Sequence, residues 1–173
     1  MKIIQCSFDR HAQAILEIFN EAILNSTALY EYKPRTMDRM REWFGSKINS
    51  HYPVLGVENE TGMLVGFASY GMFRAWPAYK YSIEHSIYVH HDHRGQGIGT
   101  KLLKELIAVA GAQDYHVMIG GVDAENEASV ALHEKLGFIH AGTIKQAGFK
   151  FNRWLDLSFY QLTLATPANP IDG

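Results

Sequence analysis

The stretch from residue 80 to residue 112 constrains the fold more than any other. "KYSIEHSIYV" alternates strictly: Tyr81, Ile83, His85, Ile87 and Val89 share one face, while Lys80, Ser82, Glu84, Ser86 and Tyr88 share the other. That is the two-residue period of a strand. The strand runs into "HHDHRGQGIG", with glycine at 95, 97 and 99, and the period then changes. Ile98, Leu102, Leu106 and Val109 fall on one helical stripe across residues 97–110. Glycines at a strand–helix junction let a ligand approach the backbone, and free N–H groups at the helix start favour an anion. Arg94 adds a fixed positive charge, and a pyrophosphate fits the arrangement.

The spacing is G-x-G-x-G. It lacks the Gly-Lys-Ser/Thr ending of a Walker loop, and Lys101 falls inside the helix. Nor is it the G-x-G-x-x-G of a dinucleotide fingerprint, and it stands mid-chain. From the loop alone, a glycine-rich turn without a ligand stays open. His90, His91 and His93 with Asp92 offer ligand atoms, but consecutive residues point in different directions and predict a poor coordination shell. A solvated loop with no metal is the reading.

Upstream, "IIQCSF" (3–8) reads as a strand and Asp9 as the N-cap of a helix carrying Ile15, Leu16, Ile18, Phe19 and Ile23. Thr36 or Asp38 opens a second helix with Met40, Trp43, Phe44 and Ile48. Segments 53–59 and 63–73 flank Thr61-Gly62 as a β-hairpin. Downstream come a strand at 115–122, a short helix at 126–138 ended by Gly137, and strands near 139–147 and 154–164. This order implies a mixed α/β sheet in a single domain spanning 1–173, with 165–173 a loose tail.

Composition sets the outer limits. At 173 residues the chain can bury a sizeable core. A net charge of -2 and a pI near 6.5 predict no general attraction to nucleic acid or to an anionic membrane. Cys6 is the only cysteine, so no intrachain disulfide forms. No apolar run is long enough to cross a bilayer, and the start lacks the apolar centre of a signal peptide. A cytoplasmic protein is expected.

The R-x-x-G-x-G loop between strand and helix resembles the acyl-CoA pyrophosphate loop of the GNAT acetyltransferase superfamily. Asn126, Ala128, Leu132, Gly137 and Phe138 fall where that superfamily has its N-x-A…GF helix. "EHSIYVHHDHRGQGIG", "LHEKLGF", "QAGFKFNRWLDLSFYQL", "ILNSTALYEY" and "YPVLGVEN" are similar to one branch, the phosphinothricin and methionine sulfoximine/sulfone N-acetyltransferases. The likeness runs over roughly residues 3 to 164. It implies a mixed, mostly antiparallel central sheet flanked by helices on both faces, and acetyl-CoA as co-substrate. Direct attack in a ternary complex is implied, because Cys6 lies far from the loop in the expected order. Relatives are commonly dimers, so a homodimer is expected.

The resemblance also assigns residues. Backbone of Ile87, Tyr88 and Val89 would bond the acetyl and pantetheine portions. Gly95, Gln96, Gly97, Ile98, Gly99 and Thr100 would hold the pyrophosphate, with Arg94 beside it. Asn126 would contact pantetheine, and Lys135 would lie near the cofactor's far portion. Glu84, by pattern alone better read as a strand-surface carboxylate, matches the position of the base. His133 stands seven residues after Asn126, where the superfamily often has Tyr and this branch has His. An imidazole there could protonate the departing sulfur, assist Glu84 or shape the pocket. The acceptor would be met by "NSTALYEY" and "FRAWPAYKYS". Arg74 and Lys80 could bind a carboxylate, and Tyr30, Trp76 and Tyr79, with Pro77 and Ala78 between them, could form walls. A small amino acid-like amine suits this set. A protein N-terminal or lysine acetyltransferase, or a non-catalytic acyl-CoA sensor, is the alternative.

Overall fold

The computed structural model describes residues 1–172; Gly173, the last residue of the expected tail, lies outside them. Among these residues the order is β1 (Lys2–Gln5), α1 (Phe8–Asn25), α2 (Met37–Asn49), β2 (Val54–Glu58), β3 (Leu64–Met72) and β4 (Ser82–Val89). Then come α3 (Ile98–Ala112), β5 (Val117–Asp123), α4 (Glu127–Lys135), β6 (Ile139–Lys150) and β7 (Arg153–Thr163). The strands form one sheet in the order β1-β2-β3-β4-β5-β7-β6. β1–β2, β2–β3, β5–β7 and β6–β7 pair antiparallel. So do β3 and β4: His90 N–H donates to Val65 O (2.9 Å) and Phe73 N–H to Ser82 O (3.2 Å), in opposite order along the two strands. Only β4–β5 is parallel, over Ser82↔Val117, Ile83↔Met118 and Glu84↔Ile119. The expected mixed, mostly antiparallel sheet is what the chain forms.

The chain divides into two compact units, Met1–Ser69 with Ile87–Leu106, and Tyr70–Ser86 with the chain from Ile107 onward. In the first, Phe67 of β3 meets Phe19 of α1 (4.8 Å) and Trp43 of α2 (6.1 Å). Its neighbour Gly66 points the other way: a Cβ there would lie 3.0 Å from Ile98 and 3.4 Å from Leu102 of α3. Helices therefore cover both faces of β3. In the second unit, Ile83, Met118, Phe138, Leu155 and Tyr160 are buried.

Among the boundaries that differ from the sequence reading, three have a local cause. The strand expected to reach Phe8 stops at Gln5, and α1 begins at Phe8 with Ser7 as its cap residue, not Asp9. Ser7 N–H is taken by His11 Nδ1 (2.9 Å), so a histidine one turn in replaces the side-chain cap, and Asp9 supplies first-turn negative charge instead. β6 runs past Gly148 to Lys150, where Phe151 and Asn152 (φ 52° and 57°) make a two-residue turn into β7. That geometry matches the twist of a hairpin, although Phe-Asn is not the usual pair of residues for it. From the 165–172 segment, Thr166 Oγ1 donates to Tyr115 O (2.5 Å) and Ile171 N–H to the Tyr81 hydroxyl (3.2 Å).

Candidate active site

The glycine loop belongs to the first unit. Gly95 and Gly97 have φ of 76° and 78°, and a Cβ on either would meet nothing within 4 Å. Glycine is needed there for the left-handed backbone, and the space above it is open. Gly99 and Thr100 lie inside the first turn of α3, and Ile98 is buried against β3. Gln96 is exposed. Arg94 reaches back to α1: its guanidinium donates to Glu21 Oε2 (2.5 Å) and to Val89 O (3.3 Å). Tyr88 turns its ring into the core against Phe19 (5.0 Å) and Phe67 (5.4 Å). Just before the loop, a 3-10 turn over His91–His93 brings one ligand atom each from His90, His91 and Asp92 within 4.8 Å of one another. Consecutive side chains do converge here, contrary to the diverging directions expected, because the turn curls the backbone.

The carboxylate and the imidazoles lie in the second unit. The β4–β5 ladder ends at Glu84↔Ile119. A Cβ on Gly121 would lie 3.2 Å from Glu84 Oε1, so carboxylate and glycine share one face. Burial raises the Glu84 carboxyl above the ordinary range, and the Arg74 guanidinium pulls it back. On the opposite face, a Cβ on Gly120 would lie 2.5 Å from His133 Nε2 and 2.8 Å from His85 Nε2. His133 Nδ1–H donates to Ser129 O (2.6 Å), and its Nε2 is 3.1 Å from His85 Nε2. The rings stack (5.0 Å, 21°) beside Phe138 and are buried, 8% and 4% exposed. Burial, then its neighbour, pushes His85 down to about 3; burial also lowers His133, opposed by the Ser129 bond. Both rings are neutral at neutral pH.

Residues 13–138 match the acetyltransferase (GNAT) family. The chain belongs to that family. It is 42% identical over 157 residues to the L-amino acid N-acyltransferase MnaT of Escherichia coli, covering 91% of each chain. It is 42% identical over 150 residues to the L-methionine sulfoximine/L-methionine sulfone acetyltransferase of Pseudomonas paraeruginosa, covering 87% of each. The crystal structure of a GNAT superfamily phosphinothricin acetyltransferase from Sinorhizobium meliloti in complex with acetyl-CoA superposes with a TM-score of 0.93. That pair is 34% identical over 98% of this chain and 91% of the other.

Within this GNAT domain the structure does not bring the two expected proton carriers together. Glu84 and His133 sit on opposite faces of the sheet. One ring nitrogen of His133 is held by Ser129 and the other by His85. Asn126 caps α4, its Oδ1 accepting from Ser129 N–H (3.1 Å), and Lys135 is exposed in the last turn of that helix. The acceptor segment is an exposed arm. Pro77–Tyr79 form a 3-10 turn, Trp76 is 75% exposed, Arg74 lies over Phe73 (4.4 Å), and Lys80 over Tyr81 (5.2 Å). Tyr30, in the first unit, is partly exposed. Sequence reasoning missed Glu21 and His85. Glu21 gave no signal. His85 did, as the one histidine among Tyr81, Ile83, Ile87 and Val89 on the apolar face of its strand.

Proposed function

We propose that this GNAT family member transfers the acetyl group of acetyl-CoA to the amino group of a small amino acid-like acceptor of the methionine sulfoximine, methionine sulfone or phosphinothricin type. Acetyl-CoA supplies the activated thioester. The observation that carries the reading is Glu84: a half-buried carboxylate of raised proton affinity, three residues before the Ile87–Val89 backbone that leads to the glycine loop. The parallel ladder with β5 runs from Ser82 to Glu84 and ends there. Glu84 takes the ammonium proton, the freed amine attacks the thioester carbonyl, and the tetrahedral intermediate collapses with cleavage of the C–S bond, CoA leaving as a thiolate that takes up the proton shed by the newly acylated nitrogen. Gly95–Thr100 offer N–H groups and a helix start to the pyrophosphate, Asn126 and Lys135 serve the rest of the cofactor, and Tyr30 with residues 74–80 meets the acceptor. His133 contributes through its bond to His85. No resident metal enters the reaction.

Both units belong to one domain in this reading, and the protein works as a homodimer in the cytoplasm on a small molecule, with neither nucleic acid nor membrane as partner. Exposed Ile144, Phe149, Phe151 and Trp154 on the β6–β7 hairpin favour self-association, which light scattering checks. No helix among the described residues is long and apolar enough to cross a membrane. The functional test is thiol release from acetyl-CoA across free amino acids and their oxidised analogues. Turnover with L-methionine sulfoximine or its sulfone is expected. Turnover on peptides alone would select the protein acetyltransferase alternative, and acetyl-CoA binding with no turnover the sensor.

A further inference from the structure

The sheet face opposite Glu84 holds two histidines whose protons can be placed by chemistry. A main-chain carbonyl can only accept, so the Ser129 contact fixes the His133 proton on Nδ1. The neutral ring then has a lone pair on Nε2, and His85 must donate to it from its own Nε2. His85 Nδ1 is left as a bare acceptor, buried and without a hydrogen-bond partner among the described residues. An apolar side chain at 85 would avoid that penalty. What the histidine supplies is its Nε2–H.

That bond sits where the strand needs it. His85 follows Glu84, the last residue of β4 in the ladder with β5. The other edge of β4 stays paired with β3, but on the β5 side, beyond that rung, the 84–85 segment is held through the His85 ring: bonded to α4 by way of His133, edge-on to Phe138 (5.6 Å), and laid over Gly120. Successive strand residues point to opposite faces, so fixing the His85 ring fixes the direction in which Glu84 leaves the strand. We propose that His85 is a positioning residue: its Nε2–H bond to His133 anchors β4 to α4 and holds the Glu84 carboxylate beside Gly121. The inference rests on Glu84 as the base of the proposed acetyl transfer.

The test uses the full chain. Nitrogen-15 NMR of the histidine rings should show His133 as the Nδ1–H tautomer and His85 as the Nε2–H tautomer, both neutral near pH 7; the reverse tautomers would overturn the bond. His85→Leu removes the donor, and His85→Gln restores an N–H of similar reach. With acetyl-CoA and L-methionine sulfoximine, the Leu variant should lose about tenfold in kcat from misplacement of the base, with KM for acetyl-CoA unchanged and the Gln variant largely recovered. Carbon-13 NMR of the Glu84 carboxyl, without substrate, should show its titration midpoint moved in the Leu variant and restored in the Gln variant. Should His85→Leu not fold, His85→Asn, whose amide falls short of His133, replaces it. Wild-type kcat and an unmoved Glu84 titration in both variants would overturn the positioning role. A wild-type protein inert toward every free amino acid would instead sink the acceptor reading, and the carboxyl titration would still decide the role of His85.

Discussion

Gly120→Ala tests the packing of the second unit at its tightest point. The new methyl would lie 2.5 Å from His133 Nε2, 2.8 Å from His85 Nε2 and 2.9 Å from His133 Cδ2. One ring or the strand must move. Neither ring moves freely, because Phe138 stands edge-on to both and Tyr160 lies 5.8 Å from His133. Overpacking of this kind costs about 1–3 kcal/mol, and parting the rings leaves buried nitrogens unsatisfied at about 1–3 kcal/mol more. The expected loss is therefore on the order of 4 kcal/mol, or roughly 8–16 °C in Tm for a chain of this size. Calorimetry measures it. Gly45→Ala is the control: nothing lies within 4 Å of the added methyl on α2, so Tm should rise slightly. In a His133→Ala background the nearest obstruction is gone, and Gly120→Ala should cost far less, a coupling that a double-mutant cycle reads. A Gly120→Ala protein with wild-type Tm, or a cost unchanged by His133→Ala, would refute the packing argument.

Glu84→Gln should lower kcat by about 10²–10⁴-fold, the usual worth of a general base, with the deficit shrinking at high pH where the amine loses its proton to solvent; a pH–rate profile decides. The histidine pair gives a signed pH effect on stability. Both folded values lie below 6.5, so the unfolded chain binds more protons as pH falls, and stability present above pH 6.5 is lost towards the His85 value of about 3. Denaturant midpoints should drop between pH 7 and 5 for wild type and less steeply for the His85→Leu/His133→Leu double variant. Gly97→Val should abolish acetyl-CoA binding by calorimetry while the protein stays folded, since φ of 78° is strained for a side chain by only about 1–2 kcal/mol. Dialysis against a chelator should leave acetyl transfer unchanged.

The parts legible in the sequence were those with a strong local period. The alternation of residues 80–89 and the glycine-to-helix switch at 95–98 state a strand, a loop and a helix without tertiary help. Thr36 is the cap of α2, its hydroxyl accepting from Arg39 N–H, because that bond is local too. What failed to show depends on partners distant in sequence. The strand expected near 139–147 carries on because Gly148, Phe149 and Lys150 pair with Leu155, Trp154 and Arg153 in the hairpin register. The pairing of His85 with a residue 48 positions later needs the fold before it exists. The separation of Glu84 and His133 onto two faces was implicit in the strand's alternation, yet helix α4 had to be placed before its side was known.

The ion pair between Arg94 and Glu21 gives the loop a resident competitor. Its most prominent cation is already partly matched by a carboxylate, so an incoming anion either shares the guanidinium with Glu21 or exchanges for it. A singly charged ion gains little by that exchange. A ligand that also draws on the N–H groups of residues 95–100 and brings more than one charge can complete it. If the loop holds a pyrophosphate as proposed, one glutamate on α1 favours anions that engage the whole loop over those that meet Arg94 alone.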